Sequence, residues 1–196
     1  MLRLPHLTLR RTTAAIAMTG AAVLIPAIAL ASAGSPAAAG SPATAAAPAA
    51  RCHTGSLTDW IGLPGDGTAG STYYMLEISN TSRATCTLFG FPGVSAVSAG
   101  GHQLGRAAGR SSGWSELPLT LVPAATVHVV LGITDVTNFP ASACHPATAA
   151  GLRVYAPGAF RSQVIPFSFR GCAGRGPVYL HVSAAIGGTG IPGQGN

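Results

Sequence analysis

The sequence predicts an all-β domain, a sandwich or a barrel, held together by two disulfides. Three observations predict it. Apolar and polar side chains alternate in several short runs after residue 52, as they do in half-buried antiparallel strands. Pro-Gly pairs, which suit the central positions of type II turns, separate these runs. An even number of cysteines follows an N-terminal export signal, and these are Cys52, Cys86, Cys144 and Cys172.

Residues 1–33 have the layout of a secretory signal peptide. Three arginines accompany an uncharged apolar run at residues 14–31, and Ala31-Ser32-Ala33 fits a small-residue cleavage site. A second such site, Ala37-Ala38-Ala39, would place cleavage as late as residue 39. An uncleaved membrane anchor is the alternative, because the run approaches the length of a bilayer span. We predict that the signal peptide is cleaved and that the protein is secreted or attached to the cell wall. After cleavage we expect no stable insertion in the membrane.

Residues 34–51 form a predicted linker. Apart from Arg51 they consist of Ala, Ser, Pro, Gly and Thr, which provide no large apolar side chain for a core. The β-sandwich domain is predicted over residues 52–186, a length that suffices for one domain with its own core. A flexible Gly-rich tail is predicted over residues 187–196.

The charge of the processed chain gives little support for nucleic-acid binding. Removal of the three signal-peptide arginines from the eleven basic residues leaves eight arginines against five acidic residues. These arginines are scattered, and no aromatic platform is interleaved with a basic run. We therefore expect no nucleic-acid partner.

The predicted strands follow one another between turn signals. Period-two runs cover residues 71–79, 84–90, 125–136, 164–169 and 178–184. In the second run Cys86 and Leu88 share a face, which predicts that Cys86 points inward. Turns are predicted at Asn80-Thr81-Ser82 and at four Pro-Gly pairs. The pairs begin at Pro64, Pro92, Pro157 and Pro192. The Gly- and Ser-rich segment 99–115 is predicted to be an exposed loop.

The cysteine spacing favours disulfides over zinc. No C-x-x-C pair occurs, and the gaps are 34, 58 and 28 residues long. Four cysteines allow three connectivities. We prefer Cys52–Cys86 and Cys144–Cys172, because these pairs put one cross-link at each end of the domain.

The chain also resembles a known family over about residues 52–184. The resemblance lies in Cys52, Cys144 and Cys172 and in the segments YYMLEISNTS, CTLFGFPGV and LTLVPAATVHVVL. On these residues the chain resembles an actinobacterial secreted family, the domain of unknown function number 4232. The resemblance implies an immunoglobulin-like sandwich and no defined activity. Ala124 stands where members often have glycine, which bears on the geometry of that turn.

One motif matches a hydrolase pattern. Gly109 to Gly113 satisfies G-x-S-x-G with Ser111 as the nucleophile, and Asp135 and His145 or His181 follow in hydrolase order. The motif requires a strand before the serine and a helix after it, and the flanking sequence predicts no such unit. We therefore assign no catalytic residue.

Metal and carboxylate sites have little sequence support. The histidines His53, His102, His128, His145 and His181 show no ligand spacing, although His128 and His181 would meet if their strands paired. The acids Asp59, Asp66 and Asp135 are far apart and are predicted to lie in turns or on the surface. We predict no cofactor and no metal ligand.

The predicted function is that of a secreted, non-enzymatic binding or structural domain of the extracellular space or cell envelope. Aromatic residues near loops suit contact with an extracellular protein or glycan. They are Trp60, Trp114, Phe139 and Phe160. The alternative is a secreted hydrolase or a metal-binding protein that uses Ser111 or surface histidines. We expect a monomer.

Overall fold

The computed structural model describes residues 48–68 and 70–190, and within β1 the side chains of residues 63–66 and 68 are outside the description. The predicted signal peptide, most of the linker, the Pro192-Gly193 turn and the last part of the tail therefore lie outside the described residues. No helix in the described ranges has the length and apolar character needed to cross a membrane.

The described chain is nearly all β, which confirms the predicted fold class. Its strands, in chain order, are β1 (Leu57–Thr68), β2 (Ser71–Asn80), β3 (Cys86–Leu88), β4 (Gly93–Val97), β5 (Gln103–Leu104), β6 (Gly109–Arg110), β7 (Leu119–Leu121), β8 (Thr126–Thr134), β9 (Pro146–Tyr155), β10 (Gln163–Cys172), β11 (Leu180–Val182) and β12 (Ile186–Gly187). Helical structure is confined, in this part of the chain, to 3₁₀ turns at Thr54–Ser56 and Val136–Asn138 and to the four-residue helix α1 (Ala141–Cys144).

These strands form two larger sheets and one short pair. Sheet 1 has the order β1-β2-β8-β11-β6, and β12 also pairs with β8. Sheet 2 has the order β10-β9-β4-β5, and β3 pairs with β7. Most neighbours are antiparallel, and the short β6 lies parallel to β11. Strands β5 and β6 fall within segment 99–115, which is therefore more ordered than the predicted loop.

Both larger sheets contribute side chains to one apolar core. Sheet 1 supplies Leu76, Ile78, Val129 and Leu131, all of them buried, from the alternating positions predicted for β2 and β8. Sheet 2 contributes buried side chains in the same way, namely Val94, Ala96, Leu152, Val154 and Ile165. Two sheets with a shared core are compatible with an immunoglobulin-like sandwich.

The two disulfides have the preferred connectivity. Cys52 is bonded to Cys86 with a Cα–Cα distance of 4.9 Å, and Cys144 is bonded to Cys172 with a Cα–Cα distance of 4.6 Å. All four cysteines are buried. Cys86 begins β3 and faces inward as predicted, whereas Cys144 ends α1 and Cys172 ends β10.

The predicted turn at Asn80-Thr81-Ser82 is confirmed, and its asparagine is fully buried. The Asn80 carboxamide oxygen accepts hydrogen bonds from the Ser82 backbone N–H (3.0 Å) and hydroxyl (2.7 Å). Its nitrogen donates to the backbone oxygens of Ala84 (2.8 Å) and Leu121 (2.9 Å). One side chain thus joins the end of β2 to the β3–β7 pair.

Replacing Asn80 by alanine is expected to lower the free energy of unfolding by about 2 kcal/mol, because buried backbone groups lose their partner. Urea denaturation followed by tryptophan fluorescence measures the change. Asn138→Ala is the matched control, since exposed Asn138 makes a single side-chain bond to the Gly70 oxygen. Equal losses in the two variants would contradict a special role of the buried amide.

The Pro-Gly pairs divide into confirmed and corrected turns. Gly158 has a φ of 74° and the Ala159 amide donates to the Ala156 oxygen, so this turn is confirmed. Pro64-Gly65, in contrast, lies inside β1, where the register with β2 shifts on both sides of Pro64. Gly93 begins β4 instead of occupying a turn of positive φ.

The turn at Ala124 explains why glycine would suit that position. The Ala125 amide donates to the Val122 oxygen (3.0 Å), and Ala124 between them has a φ of 65°. A positive φ at the third turn position defines a type II geometry, which glycine adopts without steric cost. Alanine occupies this left-handed conformation here, so the geometry is retained.

The longer of the two outer strands is interrupted in each sheet, β1 in sheet 1 and β10 in sheet 2. Strand β1 is the edge of sheet 1 and carries the two register shifts around Pro64. Strand β10 is the edge of sheet 2, contains Pro166 near its middle, and has a register shift between Pro166 and Phe169. Proline and bulges are typical of edge strands, because neither permits a continuous backbone ladder.

The domain extends beyond its predicted end. Ile186 and Gly187 form β12, which pairs with His128 and Val127 of β8. The Gly190 amide then donates to the Glu77 carboxylate (2.9 Å) on the outer face of sheet 1. Residues 187–190, the first part of the predicted tail, therefore contact the sheet.

Candidate functional site

A cleft of about 650 Å³ opens between the two sheets at one end of the domain. The start of β2 lies beside the end of β8, because these two strands are antiparallel neighbours in sheet 1. The end of β10, from sheet 2, lines the opposite side of the cleft. The apolar lining consists mainly of Tyr74, Ile133, Phe139 and Phe169. Tyr74 and Ile133 face the same side of sheet 1 as the core residues of β2 and β8, but they lie at the end of the domain where they line the cleft.

Aromatic rings make one wall of this cleft rigid. The Tyr74 and Phe167 rings are 4.9 Å apart and nearly perpendicular, and the Phe167 and Phe169 rings are 5.4 Å apart. The first pair is edge-to-face and the second is tilted, and Phe167, which lies behind the cleft lining, thus packs against both Tyr74 and Phe169. The cleft therefore has a preformed apolar surface.

Polar and charged groups also line the cleft. Asp135 accepts hydrogen bonds at Oδ1 from the Thr137 backbone N–H and hydroxyl, both at 2.8 Å. These bonds lower the pKa of Asp135 below its usual value, which keeps the carboxylate ionised. Arg170 supplies a guanidinium group, and Thr72 and Thr134 add hydroxyls. The cleft can thus accept and donate hydrogen bonds beside an apolar wall.

The serine of the hydrolase-like motif lies elsewhere. Ser111 follows the two-residue strand β6, and its amide donates to the Val182 oxygen. In the parallel β6–β11 pair, His181 is opposite Gly109, and Gly109 is two residues before Ser111. In the described ranges no hydrogen bond joins Ser111 to a histidine or an acid. The residues directly after Ser111, up to β7, form no helix. The strand–turn–helix context of a nucleophile elbow is thus missing from this segment.

The histidines are not brought into one cluster. Strands β8 and β11 do pair, but His181 is opposite Gly132, four residues along β8 from His128. The His128 Nδ1 atom lies 2.9 Å from the Gly188 oxygen, on the face covered by the C-terminal segment. Within the described part of the chain, no group of three potential metal ligands was found.

Two buried acids differ from the sequence prediction. Asp59, predicted in a turn or at the surface, points inward from β1 and is only 8% exposed. Its Oδ1 atom is buried without a hydrogen-bond partner, and burial raises its pKa to about 6. The alternation in β2 predicts that Glu77 faces outward, since Leu76 and Ile78 on either side of it face the core, but residues 188–190 cover this side chain. Burial raises the pKa of Glu77, despite the opposing effects of its Gly190 hydrogen bond and nearby His128.

The four aromatic residues singled out in the sequence have different surroundings. Phe139 lines the cleft, and Trp114 is half-buried. Trp60 is 42% exposed and donates its indole N–H to the Ser79 hydroxyl (3.2 Å). Phe160 is 98% exposed in the turn between β9 and β10. Of these four residues, Phe139 alone lines the cleft. The sequence analysis did not predict the cleft.

The fold and the cleft define a class of protein: a small all-β domain with two disulfides and an aromatic-lined cleft between its sheets. More specifically, the chain belongs to the family described as Domain of unknown function (DUF4232), whose model matches residues 52–185. The comparison with curated proteins found no match. The comparison with solved structures also found none.

Proposed function

We propose that this protein is an exported, non-enzymatic binding module that holds an extracellular peptide or glycan in the cleft between its sheets. The observation that carries the proposal is the composition of the cleft, where rigid aromatic rings adjoin an ionised carboxylate, a guanidinium group and two threonine hydroxyls. An apolar surface with a few fixed polar groups is typical of ligand sites.

The volume of the cleft supports a ligand of modest size. About 650 Å³ falls within the range of sites that hold a small molecule or a short segment of a polymer. Asp135 is held by Thr137, so its position costs little ordering entropy when a ligand binds. No observation among the described residues favours the alternative, a hydrolase using Ser111 or a histidine-bound metal.

Export is part of the proposal because of the signal-peptide pattern and the disulfides. Residues 1–33 have the expected basic, apolar and small-residue segments. Two buried disulfides are compatible with an oxidising compartment outside the cytoplasm. Residues 34–51 would serve as a tether between such a signal and the domain.

Filling the cleft should abolish binding while the fold is retained. Thr72→Trp places a large side chain in the cleft from a partly exposed strand position and is expected to weaken binding at least about tenfold, because the ligand would be sterically excluded. Arrays of cell-wall glycans and short peptides, probed with the purified domain, provide the measurement.

Thr58→Trp is the matched control, since Thr58 is an exposed position of β1 that does not line the cleft. The control should bind as the unsubstituted domain does, and both variants should retain the circular dichroism spectrum. Binding that survives Thr72→Trp, or an array with no bound ligand of either class, would contradict the proposed function.

A further inference from the structure

Two arginines line a second, separate surface feature. It is a notch of about 470 Å³ between the segment that connects β5 to β6 and the segment that connects β10 to β11. The residues around it are Gln103, Gly105, Arg106, Ala107 and Arg175. The notch shares no lining residue with the aromatic cleft.

The backbone holds these two segments together. The Gly105 amide donates to the Ala173 oxygen at 3.2 Å, which joins the chain next to Arg106 to the chain next to Arg175. Gly105 has a φ of 65°, and a Cβ atom at this position would clash with the Cys172 oxygen. Glycine therefore permits the close approach of the two segments.

The disulfide Cys144–Cys172 fixes the same corner. The Gly174 amide donates to the Cys144 oxygen at 2.7 Å, and the Ala173 amide donates to the His145 oxygen at 3.0 Å. The segment before Arg175 is thus bonded both to β5–β6 and to the cross-linked end of α1. The two arginines are thus carried by backbone that is already in place, so that binding would order only their exposed side chains.

The charge of the notch is not compensated by the protein. No acidic residue lines the notch. The acids whose side chains are described lie elsewhere. Asp59 and Glu77 are buried in sheet 1, Glu116 lies beside Gly90, and Asp135 lines the aromatic cleft. Among the described residues, Arg106 and Arg175 form no ion pair and no side-chain hydrogen bond. Two like charges that line one concave surface raise the local potential and favour an anion.

We propose that this notch is a binding site for the anionic group of a ligand, a phosphate or a carboxylate held between Arg106 and Arg175. Each planar guanidinium group can donate two parallel hydrogen bonds to such oxygens. The Gln103 side chain, which also lines the notch, donates to the Gly105 oxygen (3.2 Å) and thus holds the chain next to Arg106.

The test is a titration of the ¹⁵N-labelled domain with inorganic phosphate and, separately, with malonate, at constant ionic strength. The Nε–Hε signals of Arg106 and Arg175 should shift together and saturate. The double variant Arg106→Gln/Arg175→Gln should bind at least about tenfold more weakly, because charge-assisted hydrogen bonds are lost. Saturation by phosphate alone identifies a phosphate ligand, and saturation by malonate alone identifies a carboxylate; either result supports the site.

The control is the double variant Arg83→Gln/Arg161→Gln, which removes the same charge from exposed arginines that do not line the notch. It should keep its affinity. Equal weakening in the two double variants would show non-specific charge attraction and overturn the proposal. So would the lack of a saturable shift at Arg106 and Arg175 with both anions. Neither result would bear on the aromatic cleft.

Discussion

Replacing Cys144 and Cys172 together by alanine is expected to lower the free energy of unfolding by about 4 kcal/mol. The disulfide joins residues 28 positions apart, so its loss restores conformational freedom to a loop of the unfolded chain. Both cysteines are fully buried, and their removal also disturbs the packing at the end of β10. Urea denaturation at equilibrium, followed by far-ultraviolet circular dichroism, gives the difference.

Serine at the same two positions provides a comparison. Cys144→Ser/Cys172→Ser should be less stable than the alanine pair, because buried hydroxyls need partners that this corner does not provide for them. Reduction of the unsubstituted domain should destabilise it at least as much as the alanine pair, since it also opens Cys52–Cys86. A loss below about 1 kcal/mol in the alanine pair would contradict the role assigned to this cross-link.

Replacing Asp59 by asparagine is expected to raise the free energy of unfolding at pH 7 by about 3 kcal/mol. The carboxyl group is buried on the inward face of β1, and its pKa rises from 3.8 to about 6. A shift of this size corresponds to about 3 kcal/mol of penalty for the ionised form. Asparagine has nearly the same shape and cannot ionise.

The pH dependence has a definite sign. Below about pH 4 the Asp59 carboxyl is neutral in the folded and unfolded chains and carries no ionisation penalty. Between about pH 4 and 6 the folded chain retains a proton that the unfolded chain releases, so stability falls as the pH rises. Above pH 6 the penalty is complete. Burial raises the pKa of Glu77 as well, so Asp59→Asn should reduce the slope without abolishing it.

Denaturation curves of both proteins at pH 4, 5, 6 and 7 measure this slope. Glu116→Gln is the control, because it removes an exposed acid and should leave the slope unchanged. An unchanged slope in Asp59→Asn between pH 4 and 6 would contradict the assignment of this pH dependence to the Asp59 carboxyl group.

Much of the fold could be predicted because local signals determine it. The alternation in β2 and β8 indicates which face is buried, and its inward positions include Leu76, Ile78 and Val129, which lie in the core. The turn at Asn80 depends on a short side chain bonding to its own backbone, so three residues were enough. The disulfide pairing followed from cysteines placed near the two ends of the domain.

The features that escaped prediction depend on distant parts of the chain. Pro64-Gly65 has the composition of a turn. Pairing with β2 nevertheless continues on both sides of Pro64, with a register shift before it and another after it, so β1 does not end there. Glu77 lies on the outer face of β2, as its alternation with Leu76 and Ile78 requires. Its burial there depends on residues 188–190, more than 100 positions later in the chain. Tyr74, Phe139 and Phe169 form the cleft only when the sheets pack together, and no spacing in the sequence relates them.

The interrupted outer strands have a consequence for behaviour at high concentration. At high concentration a protein meets many copies of itself, and an unbroken edge strand would offer the next copy a template for sheet extension. In β1 the register shifts around Pro64, and in β10 Pro166 lacks an amide hydrogen. A neighbouring copy therefore finds no long run of free donors and acceptors along β1 or β10, and the opposite edges, β6 and β5, are only two residues long. This arrangement disfavours fibril growth and domain swapping.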